Sequence, residues 1–148
     1  MSFSCVIGVD LGTSGCRAIA IDLQARIIAS AVQALPAPLS PETDHYEQDP
    51  QLWWQALIEV LRTLSAQLTD YRVTRLAIDA TSASVLLTDA QAQPLGPALM
   101  YRDQRAKSEA AYIARYAPSA SPARGASASL AKLLSVCAGN PGRKAKEG

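Results

Sequence analysis

What this chain lacks narrows its chemistry before any motif is read. It holds one histidine, His45, and few aromatic residues, 5% of 148 positions. No apolar run approaches the length that crosses a bilayer, and the start Met1-Ser-Phe-Ser lacks the charged, apolar and cleavable order of a secretory signal. No membrane partner and a cytoplasmic location are therefore expected. The three cysteines, Cys5, Cys16 and Cys137, are odd in number and without metal-type spacing, so neither a disulfide framework nor a thiolate metal site is expected, and Cys5 and Cys16 read as small buried thiols. Lysine is missing from residues 1–100, where five arginines stand against ten acidic residues; residues 101–148 reverse this with nine basic and three acidic, for a net charge of +1. A basic end can mark nucleic-acid binding, but here the charges are scattered without interleaved aromatics, so no nucleic-acid partner is expected. Neither G-x-x-x-x-G-K-[ST] nor G-x-G-x-x-G occurs, which excludes a P-loop and a dinucleotide fingerprint.

What is present is concentrated in Ile7 to Asp22. Val6, Ile7 and Val9 form an apolar run that ends on Asp10, Leu11 to Gly15 carries two glycines, and Ala18 to Ile21 resumes an apolar run. That pattern predicts strand, tight turn, strand. Gly12 and Gly15 are expected to relax the backbone so that several N–H groups converge on an anion, with the Thr13 and Ser14 hydroxyls as further donors. Asp10 is a hard oxygen ligand suited to Mg²⁺ directly or through its waters, and Arg17 is a cation two residues past the turn. Phosphoryl transfer needs this set, because its catalysis is mostly positioning and neutralisation of spread negative charge. A plain hairpin in which Asp10 caps a turn accounts for a bare D-x-G-[ST] match, though less well for the longer pattern.

With 49% of its residues hydrophobic, the chain is long enough for one domain with a real core and too short for two good ones. Arg26 to Leu35 reads as a third strand in an antiparallel meander, stopped by Pro36, Pro38 and Pro41. Asp49 and Pro50 then mark a helix start, and Leu52, Trp53, Leu57, Val60, Leu61, Leu64 and Leu68 recur at helical spacing for about five turns. Val73 to Ala80 reads as a buried strand, Val85 to Thr88 as another, and Asp89 to Gly96 as a turn-rich link. A second helix is expected from near Asp103 to about Ala117, and a third starts at Leu130. Residues 1–136 are taken as one partial domain, and residues 137–148, rich in Gly, Lys and Arg, as a disordered tail.

Four segments together resemble the N-terminal part of the FGGY carbohydrate kinases, which have the ribonuclease H-like α/β fold of actin, Hsp70 and hexokinase. They are Asp10-Leu-Gly-Thr-Ser-Gly-Cys-Arg17, Tyr46-Glu-Gln-Asp-Pro-Gln-Leu-Trp-Trp54, Ile78-Asp-Ala-Thr-Ser-Ala-Ser84 with its following strand, and Pro94 to Arg105. The resemblance implies a mixed sheet with flanking helices, incomplete at this length, and phosphorylation of a small carbohydrate by ATP with Mg²⁺. Asp10 would orient the metal, while Gly12, Thr13, Ser14 and Arg17 would hold the γ-phosphoryl group. Thr81, Ser82, Tyr101 and Asp103 would line the sugar pocket, with Arg105 supporting that loop by an ion pair. Thr81 and Ser82 equally suit a plain polar turn. They stand where glycerol kinases carry Arg and Glu, which disfavours glycerol and leaves a ketopentose such as ribulose or xylulose, or a related polyol.

Trp53 and Trp54 are expected in packing, and His45 receives no chemistry. The family's proton-accepting Asp lies further downstream than these residues reach, and nothing in the spacing supports Asp79 or Asp103 in its place. A truncated, inactive front part is therefore expected, with sheet edges left exposed. A non-catalytic interaction module and a fragment of an Hsp70- or actin-like ATPase are the alternatives. The sequence does not fix the oligomeric state.

Overall fold

The computed structural model describes residues 2–139. In chain order its elements are β1 (Phe3–Leu11), β2 (Gly15–Asp22), β3 (Ile27–Ala34), β4 (Glu47–Gln48), α1 (Pro50–Ser65), β5 (Tyr71–Ala80), β6 (Ala98–Leu99), α2 (Lys107–Ile113), a 3₁₀ turn at Pro122–Arg124, and α3 (Ser129–Gly139). They fall into two compact units. One takes the residues up to Ala37 together with Pro50–Thr81, and the other takes Pro38–Asp49 with the chain from Ser82 onward.

The first unit is a mixed sheet in the order β3-β2-β1-β5. β1, β2 and β3 form the expected antiparallel meander, and β5 runs parallel to β1. Alternation decides which face is covered: Cys5, Ile7 and Val9 of β1, Cys16, Ala18 and Ala20 of β2, and Ala29 and Ala31 of β3 are buried against α1. The stripe that α1 presents is Ala56, Val60 and Leu64, four residues apart, with Leu68 just beyond the helix. Trp53 is half-buried, whereas Trp54 is 61% exposed, more than the packing expected of it would leave.

β5 departs from expectation in burial. Val73, Leu76 and Ile78 are 42%, 47% and 54% exposed. The reason is positional: α1 packs on β2 and β3, so the sheet's edge strand has no cover among the described residues.

In the second unit β4 pairs antiparallel with β6. The strand expected at Val85 to Thr88 reduces to single bridges, Val85 with Leu99 and Thr88 with Pro94. Pro94 has no N–H to extend a ladder, and the Asp89 carboxylate accepts the Gln91 and Gln93 amides at 2.9 and 2.8 Å to close a tight turn instead. α2 is also shorter than its pattern. A turn holds Tyr101 and Arg102 at its front, and at its back the Arg124 guanidinium donates to the Ala114 and Ala117 carbonyls, both at 2.8 Å, which ends the helix. Ala106, Ala110, Ile113 and Ala131 form a small core between α2 and α3. α3 continues through Cys137 to Gly139, past the boundary expected at 136; the rest of the expected tail, residues 140–148, lies outside the described residues.

Candidate functional site

The β1–β2 turn is closed by the Gly12 N–H, which donates to the Gly15 carbonyl at 2.9 Å, and the Ser14 carbonyl accepts the Leu35 N–H at 3.0 Å. The glycines act differently from expectation. No described glycine has the left-handed backbone; Gly15 is required by crowding instead, since a Cβ there would meet the Gln33 carbonyl oxygen at 2.9 Å. The Gly12 amide is engaged in closing the turn. Thr13 sits half-buried and Ser14 exposed at its apex.

Asp10 and Arg17 lie opposite each other in the β1–β2 register, with Arg17 Nη1 3.5 Å from Asp10 Oδ2. The same row continues across the sheet, with Val32 beside Arg17 and Asp79 beside Asp10. All four side chains are exposed, on the face that α1 leaves open. The neighbourhood of Asp79 and Asp10 was missed from sequence. The signal was there in weak form, because each is the penultimate residue of its strand, but only the parallel register aligns them.

Among the described residues no group of three or more His, Cys, Asp or Glu is arranged to hold a metal ion. Asp10 and Asp79 are the exposed carboxylates of this row that a divalent cation could reach. Cys16, next to this row, is no nucleophile: burial pushes its thiol pKa up, and the negative charge of Asp10 adds to the effect.

Thr81 follows β5 and its N–H donates to the Leu11 carbonyl at 3.3 Å, so it belongs with the hairpin unit. Ser82, Tyr101 and Asp103 belong to the second unit. Ser82 and Tyr101 are exposed; the Tyr101 ring stands edge-on to Tyr46 at 6.3 Å between centroids, and the Arg102 guanidinium lies 5.3 Å over the Tyr46 ring.

Asp103 is turned the other way and is fully buried. Its Oδ2 accepts the Tyr46 N–H at 2.8 Å and Arg105 Nη2 at 2.7 Å, and its Oδ1 accepts Arg105 Nε at 3.0 Å and the Arg105 N–H at 3.2 Å. Arg105 Nη2 also donates to Glu47 Oε1 at 2.6 Å, so the ion pair expected of Arg105 is present and reaches a second carboxylate that the sequence had not singled out. Burial pushes the Asp103 pKa up, but the Arg105 side chain and the Tyr46 and Arg105 amides outweigh it, leaving the carboxyl below its usual range.

The sequence profile of the FGGY family of carbohydrate kinases, N-terminal domain, matches residues 5–127. Xylulose kinase of Escherichia coli (strain K12) is 33% identical over 112 residues, which are 76% of this chain and 23% of that protein. The crystal structure of xylulose kinase from Rhodospirillum rubrum superposes with a TM-score of 0.72 at 28% identity, over 78% of this chain and 24% of its own. Glycerol kinase from Plasmodium falciparum, solved with ADP, gives a TM-score of 0.82 over 98% of this chain and 31% of its own; at 18% identity the likeness is one of fold. The chain thus spans less than a third of each of these relatives. The mixed sheet with helices is that of the actin- and hexokinase-like sugar kinases, as expected for an incomplete N-terminal domain.

Proposed function

Because the chain belongs to the FGGY family of carbohydrate kinases, whose N-terminal domain profile covers residues 5–127, we propose that it supplies the phosphate-facing hairpin and part of the sugar pocket of an ATP-dependent kinase acting on a ketopentose such as xylulose or ribulose, or a related polyol. The observation that carries this is the cross-strand pair of Asp10 and Arg17 beside a closed hydroxyl-bearing turn, on the open face of the sheet. The Arg17 guanidinium holds the γ-phosphoryl oxygens, and the Thr13 and Ser14 hydroxyls add neutral donors. Gly12 contributes by keeping the turn closed. Asp10 would hold Mg²⁺, which would supply neutralisation of charge on the transferring group.

Within the second unit Ser82 and Tyr101 offer hydroxyls to the sugar, and Thr81 is proposed separately as a sugar donor of the hairpin unit. Asp103 serves the pocket from behind, because its carboxylate is already filled by Tyr46 and Arg105. What is proposed for the described residues is binding of the phosphoryl donor and the sugar.

The test is an amide-resolved titration of the isotope-labelled chain. MgATP should move the signals of residues 12–17 and D-xylulose those of Ser82 and Tyr101, with glycerol doing less. A hairpin that stays unmoved at millimolar MgATP rules the proposal out. The open edge of β5 favours a second reading, a half-domain that binds a partner strand. Nucleotide-independent partner binding by a chain that ignores MgATP would select it.

A further inference from the structure

Lys132 lies on α3, outside every segment assigned above, and its side chain is fully buried. Lysine is almost never buried unless its ammonium is paired. Here Nζ donates to two backbone carbonyls, Ala83 at 2.8 Å and Met100 at 2.6 Å. Ala83 follows Ser82, and Met100 precedes Tyr101. One ammonium on a third element therefore ties the two chain segments that carry the sugar contacts of this unit.

Two further features show that the tie holds a defined shape. Ala83 has φ of 59°, a left-handed conformation that alanine resists, so its peptide is held there by what surrounds it. The Met100 carbonyl also accepts the Asp103 N–H at 2.9 Å, which links the lysine to the turn carrying Tyr101 and the Asp103–Arg105 pair. Burial lowers the Lys132 pKa below its ordinary value, Asp103 pulls it back up and Arg105 lowers it again, so the ammonium is held by its acceptors at a desolvation cost.

We propose that Lys132 is a positioning residue, which sets the placement of Ser82 relative to Tyr101 through the Ala83 and Met100 carbonyls. The proposal rests on the reading of Ser82 and Tyr101 as sugar contacts. A plain hydrophobic anchor would leave both carbonyls without their buried donor and both segments free to shift. A hydrogen bond to the sugar lost through such a shift weakens binding by about tenfold.

The test uses the whole 148-residue chain, labelled with ¹⁵N and ¹³C. The Lys132 Nζ signal should show hydrogen-bond couplings to the Ala83 and Met100 carbonyl carbons, and it should shift with D-xylulose at the same midpoint as the Tyr101 amide. Lys132→Met should weaken D-xylulose binding about tenfold and speed amide exchange at Val85 and Asp103, with the β1–β2 amides unchanged. A Lys132→Met chain that folds and binds as tightly as the parent overturns the proposal. So does an Nζ signal that stays fixed while Tyr101 saturates, a readout that holds even if the variant fails to fold. If D-xylulose moves nothing in the parent chain, the sugar reading fails by itself. The Nζ couplings and the Val85 and Asp103 exchange rates then decide the tether, for it if they are as expected and against it if not.

Discussion

Arg17 and Asp10 face each other with both side chains more than half exposed to solvent, so water and salt screen their attraction. An exposed pair of this kind is worth about 0–1 kcal/mol. Arg17→Ala should therefore shift unfolding by less than about 0.5 kcal/mol in urea while removing the hairpin's response to MgATP. A large loss of stability would show that the arginine holds the turn and not a phosphate. Asp103 is the opposite case. Removing it strands Arg105 beside Glu47 and leaves the Tyr46 amide without its acceptor, so Asp103→Ala should cost about 3–5 kcal/mol, read by the same urea titration. The support role of Arg105 was legible from sequence because Asp103 lies two residues away. The inward turn of Asp103 was not, because the donor that fixes it, the Tyr46 amide, lies 57 residues upstream.

Among the elements, the hairpin and its third strand could be read from alternation alone, since period two distinguishes the α1-covered face from the open one. β5 could not be read in the same way. Val73, Leu76, Ala77 and Ile78 mark a strand but say nothing of what lies over it, and here nothing described does. A ten-residue edge with Val73, Leu76 and Ile78 in water is a template for pairing with another chain. Ile78→Lys should lower thermal stability only slightly, because more than half of Ile78 is already exposed, and keep the chain monomeric in sedimentation at concentrations where the parent associates. Equal association of the two would place the contact elsewhere. The ends of α2 were illegible for a related reason: its stop depends on Arg124, which reaches back from a separate turn.

At the scale of the whole molecule, each unit contains, among its described residues, one buried carboxylate with a lowered pKa. For Asp22 the main cause is the Arg26 amide, which outweighs burial with help from the Arg26 side chain and the Gln24 amide. For Asp103 burial is the largest effect and is overcome by Arg105 and the Tyr46 and Arg105 amides. A depressed folded pKa means that the folded form holds the charge better than the unfolded form, so the stability is present above the unfolded value of about 3.9 and is lost as pH falls through the folded value. Stability measured in urea should be level near neutrality and fall below about pH 4, with Asp103→Asn flattening part of that fall. The cores of the two units have an unusual grain. Among the described residues, nine of the nineteen buried hydrophobic residues are alanines, including Ala18, Ala20, Ala29 and Ala31 beneath α1. A methyl group leaves little to delete, so few substitutions can open a cavity here. Added volume is the real hazard: Ala20→Leu would push α1 off the sheet at about 1–3 kcal/mol, and drift in this chain is limited less by which side chains it loses than by how large a replacement its closest-packed face admits.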